Sequence, residues 1–126
     1  MMKTIKTDSA PAPIGPYNQA VVYNGIVYVS GQVAINPETG EMDNENLQSE
    51  TRRVMENLKQ VLKAAGADFD SIIKCSIFIL DMGEFQTINE VYGSFFGDHY
   101  PARETVEVSK LPAGANVEIS AIAAIG

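Results

Sequence analysis

The stretch SIIKCSIFIL, Ser71 to Leu80, alternates so that Ile73, Cys75, Ile77 and Ile79 share one face, while Phe78 and Leu80 make its second half apolar on both faces. A strand of that kind belongs inside a sheet rather than at its edge. What flanks it decides the fold. On its N-terminal side, Leu47, Thr51, Val54, Met55, Leu58, Val61, Leu62 and Ala65 follow steps of three and four, which place them on one helical face. Glu45 and Glu50 near the start, Lys59 and Lys63 near the end, and Gly66 as terminator agree with the helix dipole and a glycine C-cap. On its C-terminal side, Asp81 and Glu84 form a capping-box-like pair ahead of Phe85, Ile88, Val91, Tyr92, Phe95 and Phe96, which predicts a second helix ending before Gly97 and Pro101.

Further out, the elements become strands. KTIKT, Lys3 to Thr7, is a short first strand, and APAPIGP, Ala10 to Pro16, is an extended loop because its three prolines fix φ and remove donors. AVVYNGIVYVSG sets Asn24-Gly25 between two β-branched runs, a tight-hairpin signal, and Asn36 to Gly40 is another turn. Strands near 102–109 and 116–125 close the chain across KLPAGAN. The order strand, strand, strand, helix, strand, helix, strand, strand, with one apolar stripe per helix, predicts an α+β sandwich: one mixed sheet with both helices on the same face. The abundance of Val and Ile on the other face argues for self-association.

At 126 residues the chain has the length of one domain, 1–126, and its 45% apolar and 20% charged residues are ordinary globular composition. A net charge of −7 without a basic cluster argues against nucleic acid or anionic membrane as partner. No segment has the length and apolarity of a signal peptide or a membrane span, and a single cysteine forms no internal disulfide, so the expected location is the cytoplasm.

Along PARETVEV, Pro101 to Val108, Arg103, Thr105 and Glu107 point one way, and Glu104, Val106 and Val108 the other; along 117–122, Glu118, Ser120 and Ile122 share one side. If the two strands form a hairpin, joining their apolar sets puts Arg103, Thr105, Glu118 and Ser120 on one face. Pairing Thr105 with Glu118 would then bring Arg103 within side-chain reach of that carboxylate. A guanidinium fork suits a carboxylate ligand, and a partly buried glutamate can hold a water or move its proton, so the pair is suited to binding a small acid and hydrating it. The plainer reading is a cross-strand ion pair worth little to stability.

Other polar residues point elsewhere. Cys75 reads as a small core residue and His99 as a helix-terminus or surface group; one His and one Cys make zinc a poor fit, and no Ser-His-Asp triad can be assembled. Tyr17 reads as a loop aromatic anchored on the core, and Asn89 as a solvated or subunit-facing amide of the second helix.

Taken together, IGPYNQA, SGQ at Ser30 to Gln32, INEVYGSFF at 88–96, PARETVEV at 101–108 and VEISAIA at 117–123 resemble, in order and over nearly the whole chain, the RidA/YjgF family of reactive intermediate deaminases. The resemblance implies a chorismate-mutase-like α+β subunit assembled as a homotrimer, with three sites in the clefts between subunits. It implies hydrolysis of 2-imino acids or their enamine tautomers to 2-keto acids and ammonia, without metal or organic cofactor. Carried over by residue, Arg103 would grip the substrate carboxylate and Glu118 would orient or activate the attacking water. Tyr17, Gly31 and Asn89 would line the cleft, and Thr105 would contact the imine nitrogen.

Two positions depart from the family pattern. Thr105 stands where many members have cysteine, so any role for a thiol there is lost. Glu104 stands where a small residue is usual, and it must reach solvent or a cation to avoid the penalty of burial. Two further readings are a non-catalytic trimeric module that binds small carboxylates or partner proteins, and a ribonuclease. The acidity and the lack of a basic, aromatic-lined groove weigh against the ribonuclease.

Overall fold

In the computed structural model, which describes residues 1–125, six strands form one mixed sheet in the order β1-β2-β3-β6-β4-β5. The strands are β1 (Lys3–Ile5), β2 (Ala20–Tyr23), β3 (Ile26–Gln32), β4 (Ile72–Ile79), β5 (Ala102–Glu107) and β6 (Val117–Ala124). Two helices, α1 (Leu47–Ala64) and α2 (Phe85–Gly93), cover one face. β2 and β3 are the expected hairpin, turning at Asn24 (φ 51°) and Gly25 (φ 76°). Positive φ at both central positions matches the right-handed twist of the strands they join.

Both ends of α1 follow from local chemistry. The Asn46 side chain accepts from the Ser49 N–H at 2.8 Å and so caps one of the orphan donors of the first turn. At the other end Gly66 takes φ 83°, which lets the Ala67 N–H reach the Leu62 carbonyl (2.8 Å) and the Gly66 N–H the Lys63 carbonyl (3.0 Å), a Schellman closure. α2 is shorter than the sequence pattern suggests. It stops at Gly93, and Phe95 and Phe96 lie beyond it, where both rings pack against Phe69, the first tilted and the second edge-on. Asp81 caps a preceding 3-10 turn (Met82–Glu84) by accepting from the Gly83 N–H at 2.8 Å.

The core lies between helices and sheet. Val54, Met55, Leu58, Val61 and Leu62 of α1 and Ile88 and Tyr92 of α2 pack on Val27, Val29, Cys75, Ile77, Ile79, Val117, Ile119, Ala121 and Ala123. Ile73, expected on this face, is 47% exposed. The ladder between β4 and β6 slips between Ile72 and Lys74, and this irregularity turns Ile73 outward and gives the buried position to Ile72.

The last two strands depart from the expected pairing. β5 and β6 are not a hairpin: β5 lies at the sheet edge parallel to β4, and β6 runs antiparallel between β3 and β4. The reason lies in burial. β6 buries Val117, Ile119, Ala121 and Ala123 under the helices, so it belongs in the middle of the sheet, whereas β5 is mostly exposed and suits an edge. A strand following α2 can return parallel to β4 because the helix supplies the crossover.

Candidate functional site

With β4 between them, β5 and β6 present their side chains differently from the hairpin expectation. Cys75 stands beside Arg103 and Ala121, Ile77 beside Thr105 and Ile119, and Phe78 beside Val106 and Glu118. Arg103 and Thr105 therefore share the helix-covered side with Ile119 and Ala121, while Glu118 and Ser120 lie on the open side with Glu104 and Val106. The single face expected for Arg103, Thr105, Glu118 and Ser120 is overturned, and no ion pair joins Arg103 to Glu118 among the described residues.

The residues singled out from the sequence fall into two groups. The first surrounds Arg103. Its Nη1 donates to Asn89 Oδ1 at 2.6 Å, and its guanidinium carbon lies 5.4 Å from the Phe85 ring centre and 5.1 Å from that of Tyr92. Asn89, Tyr92, Gly93, Tyr100, Pro101 and Arg103 line a surface groove of about 480 Å3. The ion pairs of the described residues, Arg53–Asp43 and Lys74–Glu104, leave Arg103 without a carboxylate. Two residues further along β5, the Thr105 hydroxyl is buried and has no hydrogen-bond partner among the described residues. Burial pushes the Cys75 thiol upward against the smaller pull of Tyr92 and Arg103, so it stays a protonated core group.

The second group surrounds Glu118. Tyr17, Gly31 and Glu118 line one small recess together with residues of the proline loop, among them Pro11 and Ile14. Tyr17 is held there by its own loop, its hydroxyl accepting from the Ile14 N–H at 3.3 Å. Glu118 fits because Gly31 has no side chain. Burial raises the Glu118 carboxyl above its ordinary value, and among the described residues no neighbouring cation pulls it back.

Glu104 resolves as the alternation suggests. It faces the open side and bonds to Lys74 at 2.8 Å and to the Ser76 hydroxyl, contacts that hold its carboxyl below the usual range. His99 lies within 3.2 Å of the Ile72 carbonyl and takes no part in either group. Among the described residues no set of three or more His, Cys, Asp or Glu is placed to hold a metal ion, and no helix is long and apolar enough to cross a membrane.

Sequence reasoning assigned Phe85 and Tyr92 to the core-facing stripe of α2 and missed their contact with Arg103. Their spacing with Asn89, at i, i+4 and i+7, was a usable signal, because it stacks all three on one helix face.

Fold and site together define a small α+β protein that, among the described residues, carries a pre-oriented guanidinium without a carboxylate partner on one side of its sheet and a carboxylate without a cation on the other. The chain belongs to the RidA/YjgF family: residues 7–125 match the family model described as endoribonuclease L-PSP. It is 43% identical over 124 residues to the 2-iminobutanoate/2-iminopropanoate deaminase of Mus musculus, covering 98% of this chain and 92% of that one. RidA from the Antarctic bacterium Psychrobacter sp. superposes with a TM-score of 0.94 at 40% identity, covering 98% and 99% of the two chains. Escherichia coli TdcF with bound serine superposes at 0.93 and 43% identity, again over 98% and 99%.

Proposed function

We propose that the protein is a homotrimeric deaminase that hydrolyses 2-imino acids such as 2-iminobutanoate and 2-iminopropanoate, and their enamine tautomers, to 2-keto acids and ammonia. The observation that carries this reading is the division of the site residues into two incomplete halves. Arg103, Asn89 and Thr105 make an anion-binding half without an acid; Tyr17, Gly31 and Glu118 make an acid-base half without a cation. A second copy set against the open sheet face would bring the Glu118 half of one chain to the Arg103 half of the next. That face exposes Tyr23, Tyr28, Ile73 and Val106, an apolar surface fit for burial in such an assembly.

In the completed cleft the guanidinium of Arg103 binds the substrate carboxylate through its fork of donors and fixes C2 in place. Glu118 accepts a proton from a water as the oxygen attacks C2 of the imine, giving a carbinolamine. The same group returns that proton to nitrogen, completing the carbinolamine, then takes the new hydroxyl proton and passes it to nitrogen as the C–N bond breaks, so that ammonia leaves and the C2=O bond of the 2-keto acid forms. The deaminase named among the relatives and the serine, a small amino acid, held by the Escherichia coli relative support this assignment. The net charge of −7 disfavours RNA as substrate.

The test generates 2-iminobutanoate in place with a threonine dehydratase and follows formation of the keto acid. Acceleration is expected, with near-complete loss in Arg103→Ala and a large loss in Glu118→Ala. A folded wild-type protein that leaves the rate unchanged while binding 2-oxobutanoate would instead be a carboxylate-binding module.

A further inference from the structure

Arg103 is held by more than its hydrogen bond. Its guanidinium lies against the rings of Phe85 and Tyr92, and its Nη1 is fixed by Asn89, so three side chains of one α2 face contact one cation. Arginine only donates, so the Asn89 amide must present its oxygen, which fixes the amide's orientation. Tyr92 is 4% exposed and is braced from behind by Phe96, 4.8 Å between ring centres, which in turn packs edge-on against Phe69 at 5.4 Å. The ring is thus anchored in the core. Its hydroxyl is buried beside the Cys75 thiol.

We infer that Phe85 and Tyr92 are positioning residues: they clamp the guanidinium between aromatic faces so that its donor edge is presented to the substrate carboxylate. The rings replace part of the hydration a cation loses at a half-buried position, and do so without a carboxylate that would compete with the ligand. Asn89 completes the clamp, and its oxygen is occupied by Arg103 rather than left free for the imine. The clamp acts through the ring of Tyr92, since its hydroxyl lies beside Cys75 and, among the described residues, makes no hydrogen bond to Arg103. This inference rests on the carboxylate-binding half of the proposed function.

The test compares Tyr92→Leu, Phe85→Leu and Tyr92→Phe, each first checked by circular dichroism and thermal melting. It reads kcat and KM for 2-iminobutanoate, and Kd for 2-oxobutanoate by calorimetry. Each leucine variant is expected to raise KM and Kd about tenfold while kcat changes less than about threefold, the pattern of lost binding rather than lost chemistry. Tyr92→Phe keeps the ring and is expected to restore both constants to within about threefold of wild type. Unchanged KM and Kd in a folded leucine variant would overturn the clamp, as would damage in Tyr92→Phe equal to that in Tyr92→Leu. If Tyr92→Leu does not fold, Phe85→Leu decides, because Phe85 is only partly buried. A wild-type protein that speeds no imine hydrolysis sinks the deaminase reading alone, and the Kd series still judges the clamp. One that binds no 2-oxobutanoate sinks the clamp itself.

Discussion

Gly31 lies so close to Glu118 that a methyl group built on it would stand 2.7 Å from the carboxyl carbon and 2.8 Å from Oε2. No real Cβ makes such a contact, so Gly31→Ala must displace the carboxylate. What blocks the methyl is the end of a flexible side chain, so the fold should survive with a stability change of about 1 kcal/mol or less. Turnover of 2-iminobutanoate is expected to fall about 100-fold, as a displacement near 1 Å in a reacting group can do. A folded Gly31→Ala protein with wild-type turnover would remove Glu118 from the reaction.

The divided site makes a prediction about mixing. Arg103→Ala and Glu118→Ala chains, each strongly impaired alone, should regain activity when unfolded together and reassembled. Random assembly joins an intact Arg103 to an intact Glu118 of the next chain in about one site in four, so recovery should approach about a quarter of wild type. No recovery in mixtures shown by native mass spectrometry to be heteromeric would place each site within one chain.

At Arg103, charge and shape can be separated. Arg103→Lys keeps the charge but loses the flat fork that lies between Phe85 and Tyr92 and reaches Asn89. A loss of about 10- to 100-fold in kcat/KM is expected, with most of it in KM. Steady-state kinetics at fixed ionic strength measures it, and equal activity would show that a point charge suffices.

The pH dependence follows from Glu118. Burial raises its pKa from 4.5, so its carboxylate form is lost at a higher pH than in an exposed glutamate. As a base it must be ionised, so kcat/KM should fall as pH drops, with an acid limb centred above 4.5 that is absent in Glu118→Gln. A limb at or below 4.5 would mean that Arg103 of a second copy offsets the burial. The same shift acts on stability with the opposite sense. A raised native pKa favours folding below the unfolded value, and the contribution is lost as pH rises through the native one, so Glu118→Gln should raise the melting temperature at pH near 7 and lose that advantage below about pH 4.

Glu50 is 1% exposed, and its two oxygens accept from the Asn116 backbone N–H (2.7 Å) and side-chain amide (2.8 Å), while the Asn116 carbonyl accepts from the Leu80 N–H at 3.1 Å. This links the start of α1 to the entry of β6. Glu50→Ala leaves two donors without partners and should lower stability by about 2–4 kcal/mol in urea unfolding. A change under about 0.5 kcal/mol would show that water replaces the carboxylate at little cost.

The periodicities of the chain determined its local structure: α1 from Asn46 to Gly66, the Asn24-Gly25 hairpin, and the alternation that turned Glu104 away from Arg103. They also marked Arg103 and Glu118 as chemically unusual strand residues, because alternation shows which neighbours along the same strand share a side. Alternation could not show which side of another strand those neighbours meet, since that depends on pairing partners far apart in sequence. The tertiary structure decided it by placing the more apolar β6 under the helices, between β3 and β4, and leaving β5 at the edge. Burial of Val117, Ile119, Ala121 and Ala123 thereby fixed Glu118 on the open face and Arg103 against the aromatic rings of α2.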